Sequence, residues 1–183
     1  MKWLDSLLPL GILTSFVSAA PIVERQLDLY ELQISCPANK KLDGRFIGLK
    51  NNTLGVFDRD DVSPVKVYTV DSEKEGCNEL HTYPVGIVDH SIGLLGPPDL
   101  LTLVDMMNPR SINPGDGDIA QWDTFQLSDG KLTNDAEGQW LAFPSGGDAW
   151  KVKWTDGLAV VTTDFMVVDV LLKSAGEGRY NGD

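Results

Sequence analysis

His81 and His90 are the chain's two histidines, so a nucleophile-base triad or a histidine-bearing metal centre would have to use one of them. Neither lies in a recognisable catalytic pattern. There is no H-E-x-x-H, no G-x-S-x-G, no glycine-rich phosphate loop and no cysteine cluster with metal spacing. The plain reading of each histidine is a strand-end or loop residue. Carboxylates are abundant, and acid hydrolysis by two of them is the one enzyme class that composition leaves open. Asp116 and Asp118 flank a glycine, but a lone D-G-D lacks the other oxygen ligands of a calcium loop. No catalytic residue, cofactor or metal ligand is expected.

Cys36 and Cys77 are the only cysteines. An even count in an exported chain predicts that they bond to each other, closing a loop worth about 4 kcal/mol by chain entropy. The competing readings are a metal pair or a reactive thiol, and no cysteine cluster with metal spacing supports the first.

Two further positions could carry sugar chemistry. Asn51-Asn52-Thr53 is the only N-glycosylation sequon, which makes Asn51 the candidate acceptor. In Q-W-L-A-F, strict alternation sets Trp140 and Ala142 on one strand face and Leu141 and Phe143 on the other. If the second pair faces the core, Trp140 stands outward as a platform on which a sugar ring stacks, with Gln139, Asp135 and Glu137 supplying hydrogen bonds. If the strand is covered on both faces, Trp140 is packing instead.

Of these residues, the exported part must position all. Met1 to Ala20 has Lys2 near the front, an apolar stretch from Leu7 to Val17 and small residues behind it, as a secretory signal peptide does. Residues 21–28 read as a short N-terminal segment, with trimming after Arg25 conceivable. The net charge of −12 disfavours nucleic acid and anionic membrane surfaces as partners. The roughly 160 residues that follow suit one domain, expected over 29–173, with a flexible tail at 174–183. That tail lacks the apolar end of a lipid-anchor signal.

The elements read as short strands. Asp129-Gly130 suits a two-residue turn pairing Ser128 with Lys131, Leu127 with Leu132 and Gln126 with Thr133. Asn51-Asn52 does the same for Lys50 with Thr53 and Leu49 with Leu54. Asp156-Gly157 predicts a third hairpin, with Trp150, Val152 and Trp154 facing Ala159, Val161 and Thr163. A strand is expected over Lys66 to Val70, and acidic loops at Asp58, Asp60 and Asp61 and at Asp71, Glu73 and Glu75. Asn108 to Asp118, with two Asn-Pro steps, is expected to separate two halves of the domain. About a dozen such strands predict an all-β, antiparallel single domain, either a closed β-trefoil-like form of three four-strand units or a β-sandwich. D-G-R-F-I-G-L-K and D-G-K-L-T-N-D-A-E-G-Q-W-L-A-F suggest a recurring unit.

The order of signal peptide, cysteine-bearing first part, F-Q-L-S-D-G-K-L-T-N-D-A-E-G-Q-W-L-A-F-P and A-W-K-V-K-W resembles the small secreted cell-wall proteins of filamentous fungi. The PhiA-like group, and more distantly the Pir C-terminal domain, share this pattern over Phe125 to Trp154. The four-cysteine arrangement and the glutamine-containing repeat of Pir proteins are absent, so covalent wall attachment does not carry over. The resemblance implies a secreted, non-catalytic extracellular or wall-associated protein whose partner is cell-wall polysaccharide or another secreted protein. A secreted acid hydrolase, and an effector or inhibitor that binds another protein, are the rival expectations.

Overall fold

Two of the three expected turns form with the registers that alternation predicts. Asp129 and Gly130 have φ of 51° and 74°, and Asn51 and Asn52 have φ of 51° and 58°. This is the left-handed pair that a type I′ turn requires. Around them Ser128 faces Lys131 and Leu127 faces Leu132, while Lys50 faces Thr53 and Leu49 faces Leu54. The computed structural model describes residues 24–58, 62–161 and 163–181. The signal-peptide reading, Asp60 and Asp61 lie outside them.

The strands fall into three groups. The first holds β1 (Glu24–Ser35), β2 (Gly48–Lys50), β3 (Thr53–Val56) and β4 (Lys66–Asp71). The second holds β5 (Asn78–Tyr83), β6 (His90–Gly96), β7 (Leu100–Met107), a 3-10 turn at Pro109–Ser111, the short β8 (Ile119–Gln121) and β9 (Phe125–Ser128). The third holds β10 (Lys131–Asn134), β11 (Gln139–Pro144), β12 (Trp150–Thr155) and β13 (Met166–Asn181). All pairings are antiparallel, and β1-β4-β5-β9-β10-β13 closes back on β1 as a six-strand ring. The hairpins β2-β3, β6-β7 and β11-β12 then pair with one another through β3, β7 and β12. Through the hairpin arms a nine-strand antiparallel barrel is closed. A ring with three mutually paired hairpins is the trefoil-like arrangement, and the sheet does not split into the two layers of a sandwich.

The core follows from alternation applied to every unit. Leu32 and Ile34 on β1, Ile92 and Leu94 on β6, Leu101 and Leu103 on β7, Trp140 and Ala142 on β11, Val152 and Trp154 on β12, and Val168 and Val170 on β13 are all buried i, i+2 pairs. Each strand thus turns one apolar stripe into a shared interior.

Several boundaries differ from the expectations. β1 begins at Glu24 and pairs along β13 to Asn181, so 24–28 and 174–181 are paired strand rather than loose ends. Asn108 to Asp118 lies inside the second unit. The unit boundaries are instead the β4-β5 connection and Asp129-Gly130. Asp43-Gly44 sits between β1 and β2 and is not equivalent to Asp129-Gly130, although the residues after Gly44 and after Gly138 both open a cap hairpin.

The third expected hairpin does not form. Gly157 takes φ of 85° and a local turn is made, with Gly157 N donating to Thr155 Oγ1 at 3.0 Å and Leu158 N to Asp156 Oδ1 at 2.9 Å. Residues 158–161 then leave as a connection without strand. A strand has two edges, and β12 has already given one to β11 and the other to β3 and β7.

Candidate functional site

β5 and β6 are neighbours, with His81 opposite Ser91 and Leu80 opposite Ile92. Leu80 and Ile92 point into the barrel, so Glu79, His81 and Ser91 share the outer face. Tyr68 on β4 sits opposite His81 and stacks on its ring at a centroid distance of 5.5 Å. The connection from Pro84 to Asp89 folds over this face. It leaves a cleft of about 310 Å³ lined by Tyr68, Thr82, Val85, Ile87, Asp89 and His90.

Behind the cleft, His81 is held at both nitrogens. Nδ1 lies 2.7 Å from Asp89 Oδ1, and Nε2 lies 3.0 Å from Glu79 Oε2. Glu79 is itself buried, and its other oxygen is 3.6 Å from Arg110 Nη2, whose Nη1 donates to Glu73 at 3.1 Å. His90 forms a separate pair, its Nδ1 2.7 Å from Asp105 Oδ2. The other Asp105 oxygen is buried without a hydrogen-bond partner. The Tyr68 phenol has a raised pKa, first through burial and then through the nearby Asp89 and Tyr180.

Ser91 Oγ is 3.2 Å from His81 Nδ1, the spacing of a nucleophile and its base. Two features stop it from acting as one. Nδ1, the nitrogen that Ser91 Oγ approaches, is already engaged by Asp89 Oδ1 at the shorter distance of 2.7 Å. Ser91 is also fully buried, with no path for a substrate carbonyl. The two carboxylates are no hydrolytic pair either, because the imidazole occupies the space between them where a glycosidic bond would sit.

The residues singled out in the sequence do not assemble into a site. Trp140 is 2 % exposed, its Nε1 donates to Leu132 O at 2.7 Å, and its ring meets Trp154 edge to face. The outward platform is therefore overturned, and the strand is covered on both faces, with Leu141 and Phe143 outside the barrel but also buried. Gln139 and Glu137 are exposed, while Asp135 is paired with Lys74. Cys36 and Cys77 are free buried thiols rather than a disulfide. From the row that joins Tyr30, Val67 and Thr82 across β1, β4 and β5, Cys36 lies along β1 in one direction and Cys77 back along β5 in the other. A bond needs Cα atoms within about 7 Å. Asn51 is exposed at its turn. Among the described residues no group of three or more His, Cys, Asp or Glu could hold a metal ion, and no helix is long and apolar enough to cross a membrane.

Sequence reasoning missed Glu79, Asp89, Ser91, Arg110 and Tyr68. The available signal was E-L-H, whose alternation sets Glu79 and His81 on one strand face, followed by D-H-S. Comparison with known proteins brings no match: no family model, no curated protein and no solved structure matches the chain.

Proposed function

We propose that the chain is a secreted, non-catalytic protein of the extracellular space or cell wall that works by binding, with the β5-β6 cleft as its ligand site. One observation carries this reading: both ring nitrogens of His81 are committed to carboxylates, which closes the nearest approach to a catalytic pair. The network instead fixes the cleft wall by holding Asp89 against the strand. A phenol, a threonine hydroxyl and a carboxylate set around apolar Val85 and Ile87 suit a hydroxyl-rich ligand with apolar ring faces, as wall polysaccharide has. The resemblance to small fungal wall proteins supports the same ligand class. Free cysteines are compatible with export because both are buried, and buried structural thiols are inert.

The experiment is a titration of purified protein with soluble β-glucan and chitin oligomers, followed by amide chemical shifts. Asp89→Asn and Tyr68→Phe serve as site variants. Binding with shifts at the β5-β6 connection that weakens in both variants is the expected result. Turnover of polysaccharide or protein at acid pH that is lost on a single Asp→Asn change would overturn the non-catalytic reading.

A further inference from the structure

The outer face of the β11-β12 hairpin is built unlike the rest of the surface. Leu141 lies between Lys153 and Val167 in one row, and Phe143 pairs with Lys151 in the next. The β12-β13 connection folds over this face and encloses a cleft of about 250 Å³ lined by Gln139, Leu141, Thr155, Ala159, Val161 and Phe165. Around its rim, large apolar side chains stand in solvent: Leu158 is 80 % exposed, Val160 91 % and Val167 54 %. A patch of this kind marks an interaction surface.

Charge selects the occupant. The chain carries 27 Asp and Glu against 15 Lys and Arg, and some cations on its surface have acidic partners, as in Lys74 with Asp135 and Lys131 with Asp169, while others such as Lys40 and Lys41 are in no ion pair with a described residue. Lys151 and Lys153 have no ion pair with any described residue. They stand side by side on β12, with Lys153 Nζ 5.3 Å from the centre of the Phe143 ring. Burial, and then the neighbouring Lys151, lowers the Lys153 pKa. In a strongly acidic molecule this is an uncompensated positive pair set against an apolar cleft.

The backbone adds a third element. Ala159, Val160 and Val161 have no hydrogen-bond partner among the described residues, although L-A-V-V has high β propensity. Unpaired backbone groups in such a segment can accept an added strand. A second copy of the chain is a poor occupant, because a two-fold contact would bring both lysine pairs together.

We propose that this face docks an extended protein segment in which carboxylates alternate with apolar side chains. The apolar residues would enter the cleft beside Leu141 and Phe165, the carboxylates would meet Lys151 and Lys153, and the backbone would pair with residues 159–161.

The test uses the full folded chain and three labelled heptapeptides. All share one valine-phenylalanine-valine alternation, with glutamate, glutamine or lysine at the intervening positions, and binding is read by fluorescence anisotropy. The glutamate peptide is expected to bind at least about tenfold more tightly than the glutamine peptide, to weaken with salt, and to lose its advantage in a Lys151→Glu, Lys153→Glu variant. Val160→Asp should weaken both the glutamate and the glutamine peptides, the glutamate peptide more because the new carboxylate repels it. These positions are on the outside, and circular dichroism checks that both variants fold. Equal binding of all three peptides, no binding of the glutamate peptide at millimolar concentration, or an unchanged preference in the double variant overturns the proposal. So does sedimentation showing a dimer that Val160→Asp abolishes, or binding of phosphatidylserine vesicles or dextran sulfate in place of the glutamate peptide.

Discussion

Trp140 meets Trp154 edge to face directly across the β11-β12 ladder, with ring centroids 5.1 Å apart and planes inclined by 76°. This geometry sets the positive edge of one ring against the negative face of the other. The Trp140 indole N–H is also satisfied, by Leu132 O on β10, so the residue ties a cap hairpin to the barrel ring. Gly138, just before β11, has no room for a side chain, since a Cβ there would lie 2.8 Å from the Trp154 ring. Trp140→Phe should therefore cost about 1–3 kcal/mol through the orphaned carbonyl and lost ring area. Trp140→Ala should cost about 3–5 kcal/mol. Urea unfolding checks both, and a Trp140→Phe protein as stable as the parent would contradict the packing described.

The His81 network makes a second prediction. Glu79 is 6 % exposed and His81 9 %, so removing the imidazole leaves a buried carboxylate that only the more distant Arg110 can answer. His81→Ala should destabilise the fold by about 3 kcal/mol. Adding Glu79→Gln should recover part of the loss, because the buried charge goes with its partner. A double-mutant cycle by thermal unfolding measures the coupling, and strictly additive effects would show that the two groups do not depend on each other.

The local half of this fold was legible from residue order alone. The turns at Asn51-Asn52 and Asp129-Gly130, the registers beside them and the all-β class follow from alternation and turn chemistry within a few residues. Errors arose wherever a strand's second neighbour decided the outcome. Asp156-Gly157 has the same turn chemistry as Asp129-Gly130, but β12 had no free edge for the following residues. Trp140 and Leu141 head two apolar stripes of similar strength. Which one faces inward depends on the connection that covers Leu141 from outside. The candidate site was less legible still, because His81 and Ser91 meet only once β5 is known to pair with β6.

Cys36 and Cys77 supply a third prediction. Both are buried free thiols on separate parts of the barrel. Ellman's reagent should find no reactive thiol in the native protein and both after denaturation. The unreduced denatured protein should accept two alkylations without prior reductant. Cys36→Ser, placing a hydroxyl in the core with only the distant Val167 O nearby, should cost about 2 kcal/mol. A linked Cys36-Cys77 peptide would refute the arrangement.

Lys153 connects stability with the outer binding face. Burial and the adjacent Lys151 lower its pKa in the folded state, so the charged form is less favourable there than in the unfolded chain, where the value is about 10.4. The sign follows from linkage: the cost is fully present below the folded pKa and is relieved as pH rises from that value toward the unfolded one. Lys153→Met keeps the aliphatic stem over Phe143 and removes the charge. It should stabilise the protein at neutral pH by less than about 1 kcal/mol, since the ammonium is only partly screened from water. The gain should shrink as pH approaches the unfolded lysine value. Thermal unfolding of parent and variant between neutral and alkaline pH tests this, and a gain that grows with pH would reverse the argument. The same variant should bind the glutamate peptide more weakly than the parent, and equal binding would separate the lowered Lys153 pKa from the proposed docking role.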